Sequence, residues 1–201
     1  MDRDPSTTDS YPQELLELVS VGDQTAFRKL YAHFYKRLFH FALALVKIRE
    51  SAEEIVEDVF VRIWQQRENL HAIKNLRVYL YTATKNSSLN FLSQKARQSI
   101  TEPFDHIHVG LDDSAITPEQ ILITAEIHKK IQKAVEALPP RCKMIFKLVR
   151  EDGLKYREIS EILNISVNTI DAQMAIAVKR ITLAIESDFD FPVKKVKPVN
   201  N

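Results

Sequence analysis

Cysteine is almost missing from this chain. Among 201 residues Cys142 stands alone, which excludes an internal disulfide framework and a cysteine cage for zinc. Glycine is scarce too, 3 residues against 8 prolines, so collagen-like and glycine-rich low-complexity sequence is ruled out. No apolar run approaches the ~20 residues that cross a bilayer. Met1-Asp2-Arg3-Asp4-Pro5 lacks the apolar stretch of a secretory signal. There is no glycine-rich phosphate loop, no Gly-x-Ser-x-Gly and no His-Glu-x-x-His. The expectation is a cytoplasmic protein with no metal, no cofactor, no small-molecule substrate and no catalytic residues.

What is present is globular: 45% hydrophobic and 27% charged residues, with a net charge of +1. The total charge says little about partners, but its distribution says more. From Leu70 to Thr101 there is no Asp or Glu, while Lys74, Arg77, Lys85, Lys95 and Arg97 are basic. From Gln98 to Thr117 the sign reverses: Glu102, Asp105, Asp112 and Asp113 occur without Lys or Arg.

Apolar residues fall at helical steps through most of the chain, which predicts an all-α protein. Phe27, Leu30, Tyr31, Phe34, Tyr35, Leu38, Phe39, Ala42 and Leu45 line one face of a helix capped by Asp23. Ser51-Ala52-Glu53-Glu54 reads as a capping box opening a second helix. There Ala52, Ile55, Val56, Val59, Phe60 and Ile63 form the apolar stripe, and Glu53, Glu54, Glu57 and Asp58 fall opposite. A third helix is expected over Asn75 to Ala96. Residues 99–115 lose the period, contain Pro103 and Gly110, and read as an acidic linker. Thr117-Pro118-Glu119-Gln120 restarts a helix that Pro139-Pro140 ends. Another follows to Arg150, before Asp152-Gly153.

The sharpest local pattern comes last. A short helix from Tyr156 to Leu163 meets Asn164, a residue suited to a left-handed turn. Ser166 then caps a helix with inward residues Val167, Ile170, Met174, Ala177 and Ile181. This is helix-turn-helix spacing, whose second helix can enter a major groove. Asn168, Thr169 and Gln173 point outward to base edges, and Lys155, Arg157, Lys179 and Arg180 supply attraction to phosphate. The same pattern also fits an ordinary helical hairpin in a bundle.

Two other segments suggest binding. The acid-free third helix offers Asn86, Asn90, Ser87 and Ser88 as polar groups, Arg77 and Lys85 as cations, and Tyr79, Tyr81 and Phe91 as stacking faces, a composition suited to single-stranded nucleic acid. A solvated helix face would read alike. The carboxylate ridge Glu57 and Asp58, beside Phe60 and Trp64, suits a protein partner, with a solvated face over a buried tryptophan as the plainer reading. His106 and His108 lack flanking ligands, and Cys142 reads as core.

In combination these segments resemble the extracytoplasmic-function (ECF) sigma factors, group 4 of the sigma-70 family. Gly22-Asp23-Gln24-Thr25-Ala26-Phe27-Arg28-Lys29-Leu30-Tyr31 is similar to the opening of that family's first domain. Ser51-Ala52-Glu53-Glu54-Ile55-Val56-Glu57-Asp58-Val59-Phe60-Val61-Arg62-Ile63-Trp64 resembles its polymerase-binding helix, and Tyr79-Leu80-Tyr81-Thr82-Ala83-Thr84-Lys85-Asn86 its promoter-melting segment. Leu138-Pro139-Pro140-Arg141-Cys142 and Gly153-Leu154-Lys155-Tyr156-Arg157-Glu158-Ile159-Ser160-Glu161-Ile162-Leu163 resemble its second domain. Ser160 stands where the family usually has Ala, and Asn164 where it usually has Gly.

The resemblance implies two small helical domains joined by a flexible acidic linker. The boundaries are 10–97 for a polymerase and minus-ten domain, 98–117 for the linker, 118–186 for the helix-turn-helix domain and 187–201 for a disordered tail. Glu57, Asp58, Phe60 and Trp64 would dock on the beta-prime clamp of core RNA polymerase. Arg77, Tyr81, Lys85, Asn86 and Asn90 would meet the minus-ten element of promoter DNA. Lys155, Arg157, Ser166, Asn168, Thr169, Gln173, Lys179 and Arg180 would meet the minus-thirty-five element. An anti-sigma factor, in many relatives membrane-bound, is the expected regulator. The competing reading is a stand-alone helix-turn-helix regulator with a helical sensor domain.

Overall fold

The computed structural model describes residues 13–98 and 122–186, and every regular element among them is helical. The elements are α1 (Gln13–Ser20), α2 (Gln24–Val46), α3 (Arg49–Gln65), a 3₁₀ turn (Arg67–Ala72), α4 (Leu76–Gln98), α5 (Leu122–Glu136), α6 (Pro140–Arg150), α7 (Tyr156–Leu163) and α8 (Val167–Glu186).

Local chemistry sets most boundaries. The Asp23 carboxylate accepts from the Ala26 amide at 2.8 Å and starts α2. Lys47, at φ 62, ends it in a left-handed turn. The chain then enters α3 at once, two residues before the expected capping box. Ile48 occupies the cap without a side-chain hydrogen bond, so Ser51 lies inside the helix. An Arg49–Glu53 pair one turn apart, at 3.1 Å, braces that start instead. The Asn75 side chain accepts from the Val78 amide at 3.1 Å and opens α4.

Helices α2, α3 and α4 pack on one another, and α1 lies across α2 and the 3₁₀ turn. Leu30, Phe34, Leu38, Val56, Ile63 and Leu80 are among the buried residues between them. In the second group α8 packs on α5, α6 and α7. Cys142 is buried with Ala134, Val135, Leu138, Ala177 and Ile181, as its apolar setting led us to expect.

The two groups do not stand apart. Helix α4 packs along α7, and one hydrophobic core runs from the α2–α4 group into Ile145, Leu148, Leu154, Ile159, Ile162, Ile170 and Met174. The acidic stretch 99–115, with Pro103, Gly110, His106 and His108, lies outside the described residues, as do the helix start at Thr117 and the tail after Glu186.

Candidate polymerase and nucleic-acid interfaces

The first surface is the outer edge of α3. The helical turn puts Val56, Val59, Phe60 and Ile63 against the core, while Glu54, Glu57, Asp58 and Val61 stay exposed. Phe60, expected as a partner contact, is 2% exposed and presents no surface. It lies on the apolar stripe, one turn from Val56, and supports Phe27 at 6.3 Å and Tyr31 at 4.7 Å between ring centroids. Trp64 is half-buried. It packs on Phe27 at 4.8 Å, and the Arg67 guanidinium lies 4.9 Å from its ring centroid. Arg67 also donates to the Trp64 carbonyl at 2.9 Å, which holds the indole at the edge of the surface.

An aromatic run on α2 extends this edge. Tyr31 stacks on Tyr35 at 4.8 Å, and Tyr35 on Phe39 at 6.2 Å. Phe27, Tyr31 and Trp64, with Gln24 and Arg28, line an open recess of about 410 Å³. Burial, then the neighbouring Tyr35 and the Glu57 carboxylate, push the Tyr31 phenol up, so it stays neutral. Phe27 and Tyr31 belong to the apolar face expected for α2. Their four-residue spacing was visible, but how far the stripe emerges beside α3 depends on the packing of the two helices.

The second surface is α4. Its small hydroxyl residues are divided between core and solvent. Thr84 and Ser88 are fully buried and return their hydroxyls to the Leu80 and Thr84 carbonyls, at 2.9 and 2.8 Å. Ser87 accepts from the Arg62 guanidinium at 2.8 Å, and Arg62 also reaches the Asp58 carbonyl at 3.2 Å. This arginine therefore ties the acidic helix to the acid-free one. Asn86 and Asn90 are exposed.

The other three α4 candidates sit differently. Arg77, Tyr81 and Lys85 recur every fourth residue and form one stripe, and that stripe faces the second helical group. Arg77 donates to the Glu158 carboxylate at 2.8 Å, in a pair whose side chains are each 14% exposed. Asn75 donates to the other Glu158 oxygen at 2.9 Å. Arg77 also reaches the Gly153 carbonyl at 3.4 Å. Lys85 donates to the Ile162 carbonyl at 2.7 Å, near the C-terminal end of α7, where carbonyls lack helical partners and a cation is favoured. Tyr81 is fully buried, 5.2 Å from Phe41, so it offers no stacking face in this arrangement. Its hydroxyl lies beside the Asp152 carboxylate. Burial, with the Asp152 carboxylate next, raises its pKa.

Glu158 is the centre of this contact. Burial alone would raise its carboxyl. The Lys155 amide, Asn75 and Arg77 outweigh burial and hold it below the ordinary range. The Lys155 amide donates to it at 2.8 Å, so the same carboxylate also caps α7.

The third surface is the helix-turn-helix. Asn164 adopts the left-handed conformation at φ 54, as its place in the turn required. Ser160 donates to the Ile165 carbonyl across that turn at 2.6 Å, a bond that alanine could not make. Ser166 accepts from the Thr169 amide at 3.0 Å and caps α8. Its hydroxyl also shares a 2.8 Å hydrogen bond with that of Thr169. Lys155, Arg157, Ser166, Asn168, Lys179 and Arg180 are exposed, with Thr169 and Gln173 partly so. Ile170, Met174, Ala177 and Ile181 point inward. Among the described residues no cluster of His, Cys, Asp or Glu could hold a metal ion.

Comparison with known proteins places both helical groups in one family. Residues 30–98 match the family described as Sigma-70 region 2, and residues 128–181 match Sigma-70, region 4. Over 168 residues the chain is 23% identical to the ECF RNA polymerase sigma-E factor of Escherichia coli (strain K12), covering 81% of this chain and 87% of that protein. The sigma-E factor of Haemophilus influenzae is likewise 23% identical, over 81% of this chain and 88% of that protein. In structure the chain is similar to CnrH in complex with the cytosolic domain of CnrY, with TM-score 0.51 and 15% identity over 88% of this chain and 97% of that one. It is also similar to the sigma factor RpoE in complex with the anti-sigma factor NepR from Bartonella quintana, with TM-score 0.53 and 21% identity over 81% and 98%.

Two helical regions of these kinds on one chain define a sigma-70 type subunit, a regulator of RNA polymerase. The chain belongs to the ECF group of that family and is an alternative sigma factor that directs transcription initiation. The stand-alone regulator is not favoured, because region 2 accompanies the helix-turn-helix.

Proposed function

We propose that this sigma factor grips core RNA polymerase at the α3 edge and promoter DNA at α4 and α8. Glu57, Asp58 and Trp64 form the clamp-facing edge, with Phe60 beneath them as support. Along α4, Asn86 and Asn90 with Arg77, Tyr81 and Lys85 read and open the minus-ten element. Ser166, Asn168, Thr169 and Gln173 present the first turns of α8 to the minus-thirty-five element, and Lys155, Arg157, Lys179 and Arg180 hold phosphate. Residues 10–97 and 118–186 act as the two functional units, with 98–117 connecting them. The chain supplies no catalytic residue; polymerase supplies the chemistry.

One observation carries this reading. An exposed carboxylate edge on α3 and an acid-free helix α4 stand side by side, tied by Arg62. Such a pair suits a subunit that must hold a protein on one side and a polyanion on the other. The place of action is the cytoplasm, and no described helix is long and apolar enough to cross a membrane. The solved relatives are bound by NepR and by CnrY, and we extend that mode of regulation to an anti-sigma partner for this chain. Run-off transcription with core polymerase and a genomic promoter library tests the reading. Transcripts that depend on the added subunit are expected; failure of the wild type to bind core polymerase would overturn it.

A further inference from the structure

The face of α8 that turns away from the core carries no cation where base edges would lie. Ile170, Met174 and Ala177 are buried. The opposite side of the helix is Asn168, Ala172, Ala175 and Ile176, all exposed. Between Glu158 and Val178 the chain has no Lys or Arg. The exposed cations stand outside this span, Lys155 and Arg157 at the start of α7 and Lys179 and Arg180 well along α8. They bracket the face and suit phosphate on either side of a groove. The side chains between them are left to meet the bases.

Those side chains fit one kind of base pair. Guanine presents two acceptors in the major groove and is read by the donors of Arg or Lys, which this face lacks. Asp171, exposed at its edge, is itself an acceptor and repels both guanine acceptors. Adenine presents one acceptor and one donor, which the amide of Asn168 or Gln173 matches with two bonds. The Cys142 thiol donates to the Gln173 carbonyl at 3.2 Å, which fixes this turn of α8 on α6. Ala172 and Ile176 offer only methyl surface, and thymine is the base that presents a methyl group in the major groove. Ile176 is 41% exposed, so packing it on a thymine methyl removes apolar surface from both partners.

We propose that α8 reads an upstream element of consecutive A·T pairs, in which Asn168 and Gln173 take adenine while Ala172 and Ile176 pack on thymine methyls. From Asn168 to Ile176 the helix advances about 12 Å, which spans about four base pairs at about 3.4 Å per step. The missing cations and Asp171 together exclude guanine from that span. This rests on the assignment of α8 to the minus-thirty-five element above.

Holoenzyme assembled from the full chain and core polymerase tests this on a promoter taken from the run-off library, with its upstream element randomised. Retained DNA should carry about four consecutive A·T pairs there, the span that the helix rise sets. A span rich in G·C pairs, or with no preference, overturns the base assignment while the sigma reading stands. No DNA retained above core polymerase alone overturns both. In the selected sequence, deoxyuridine in place of a single thymine removes only the methyl group. At one position it should lower affinity about fourfold, the transfer value of one buried methyl, and Ile176→Ala should erase that difference. Ile176→Arg should bring guanine into the selected element at the same position. The side chain is exposed, so neither variant disturbs the core. Equal affinity for thymine and deoxyuridine at every position overturns the proposal, as does tighter binding by Ile176→Arg without a base preference, which would place the side chain at phosphate.

Discussion

Asp58 and Phe60 are two positions apart on α3, and the helix sends them to opposite fates. Asp58 is exposed and Phe60 is 2% exposed. Asp58→Arg should therefore leave the thermal midpoint within a degree or two and abolish binding to core polymerase, because a cation now faces the partner's surface. Unchanged affinity in a pull-down or by surface plasmon resonance would remove Asp58 from the interface. Phe60→Ala should cost about 3–5 kcal/mol of stability through the cavity it leaves, measured by urea unfolding. Binding lost by that variant would report on folding. Tyr81 shows the same divide. Its aromatic type and basic neighbours suggested a stacking face, yet its ring is fully buried.

At the scale of the element, chemistry near the helix ends was readable wherever one side chain meets one amide. Asp23, Asn164 and Ser166 take the positions their chemistry suggested. The start of α3 was not readable in the same way. A capping box at Ser51 was available, but the left-handed turn at Lys47 delivers the chain two residues earlier. Once the helix has begun, propagation costs less than a new start. Ser166→Ala should lose about 1 kcal/mol by removing a cap, seen as a lower denaturation midpoint with unchanged slope. Asn86→Ala, exposed on α4, should slow strand opening more than initial docking. Stopped-flow fluorescence with a labelled promoter separates the two steps, and equal loss in both would contradict the melting role. Replacing Gln173 by Glu should change the preferred upstream sequence, and an unaltered promoter set would remove it as a base reader.

At the scale of the whole molecule the two helical groups share a core, and their contact makes stability depend on pH. Partial burial, then Lys147 of α6, then Lys36 and Arg49 hold the His40 imidazole below its ordinary value. A histidine with a lowered pKa contributes stability above its ordinary value, and that contribution is lost as pH falls through the window down to the lowered one. Glu158, held low, behaves in the same sense at more acid pH: its contribution is present above the ordinary carboxylate range and lost as pH falls through the lowered value. As pH falls below the ordinary histidine value the fold should therefore weaken through His40 first. His40→Asn should flatten that part of the profile in thermal melts, and an identical slope in the variant would assign the loss elsewhere.

Periodicity, capping and charge blocks by themselves determined that the chain is helical, where its helix-turn-helix lies, and which helices are acidic or free of acid. These are properties of residues within a turn or two of one another. What only the tertiary structure decided is which aromatic residues reach the surface, and that Arg77, Tyr81 and Lys85 face Glu158 and α7 across a large gap in sequence. An ion pair between residues 77 and 158 leaves no local trace, because either charge alone reads as a solvated side chain until packing of α4 on α7 removes the water between them.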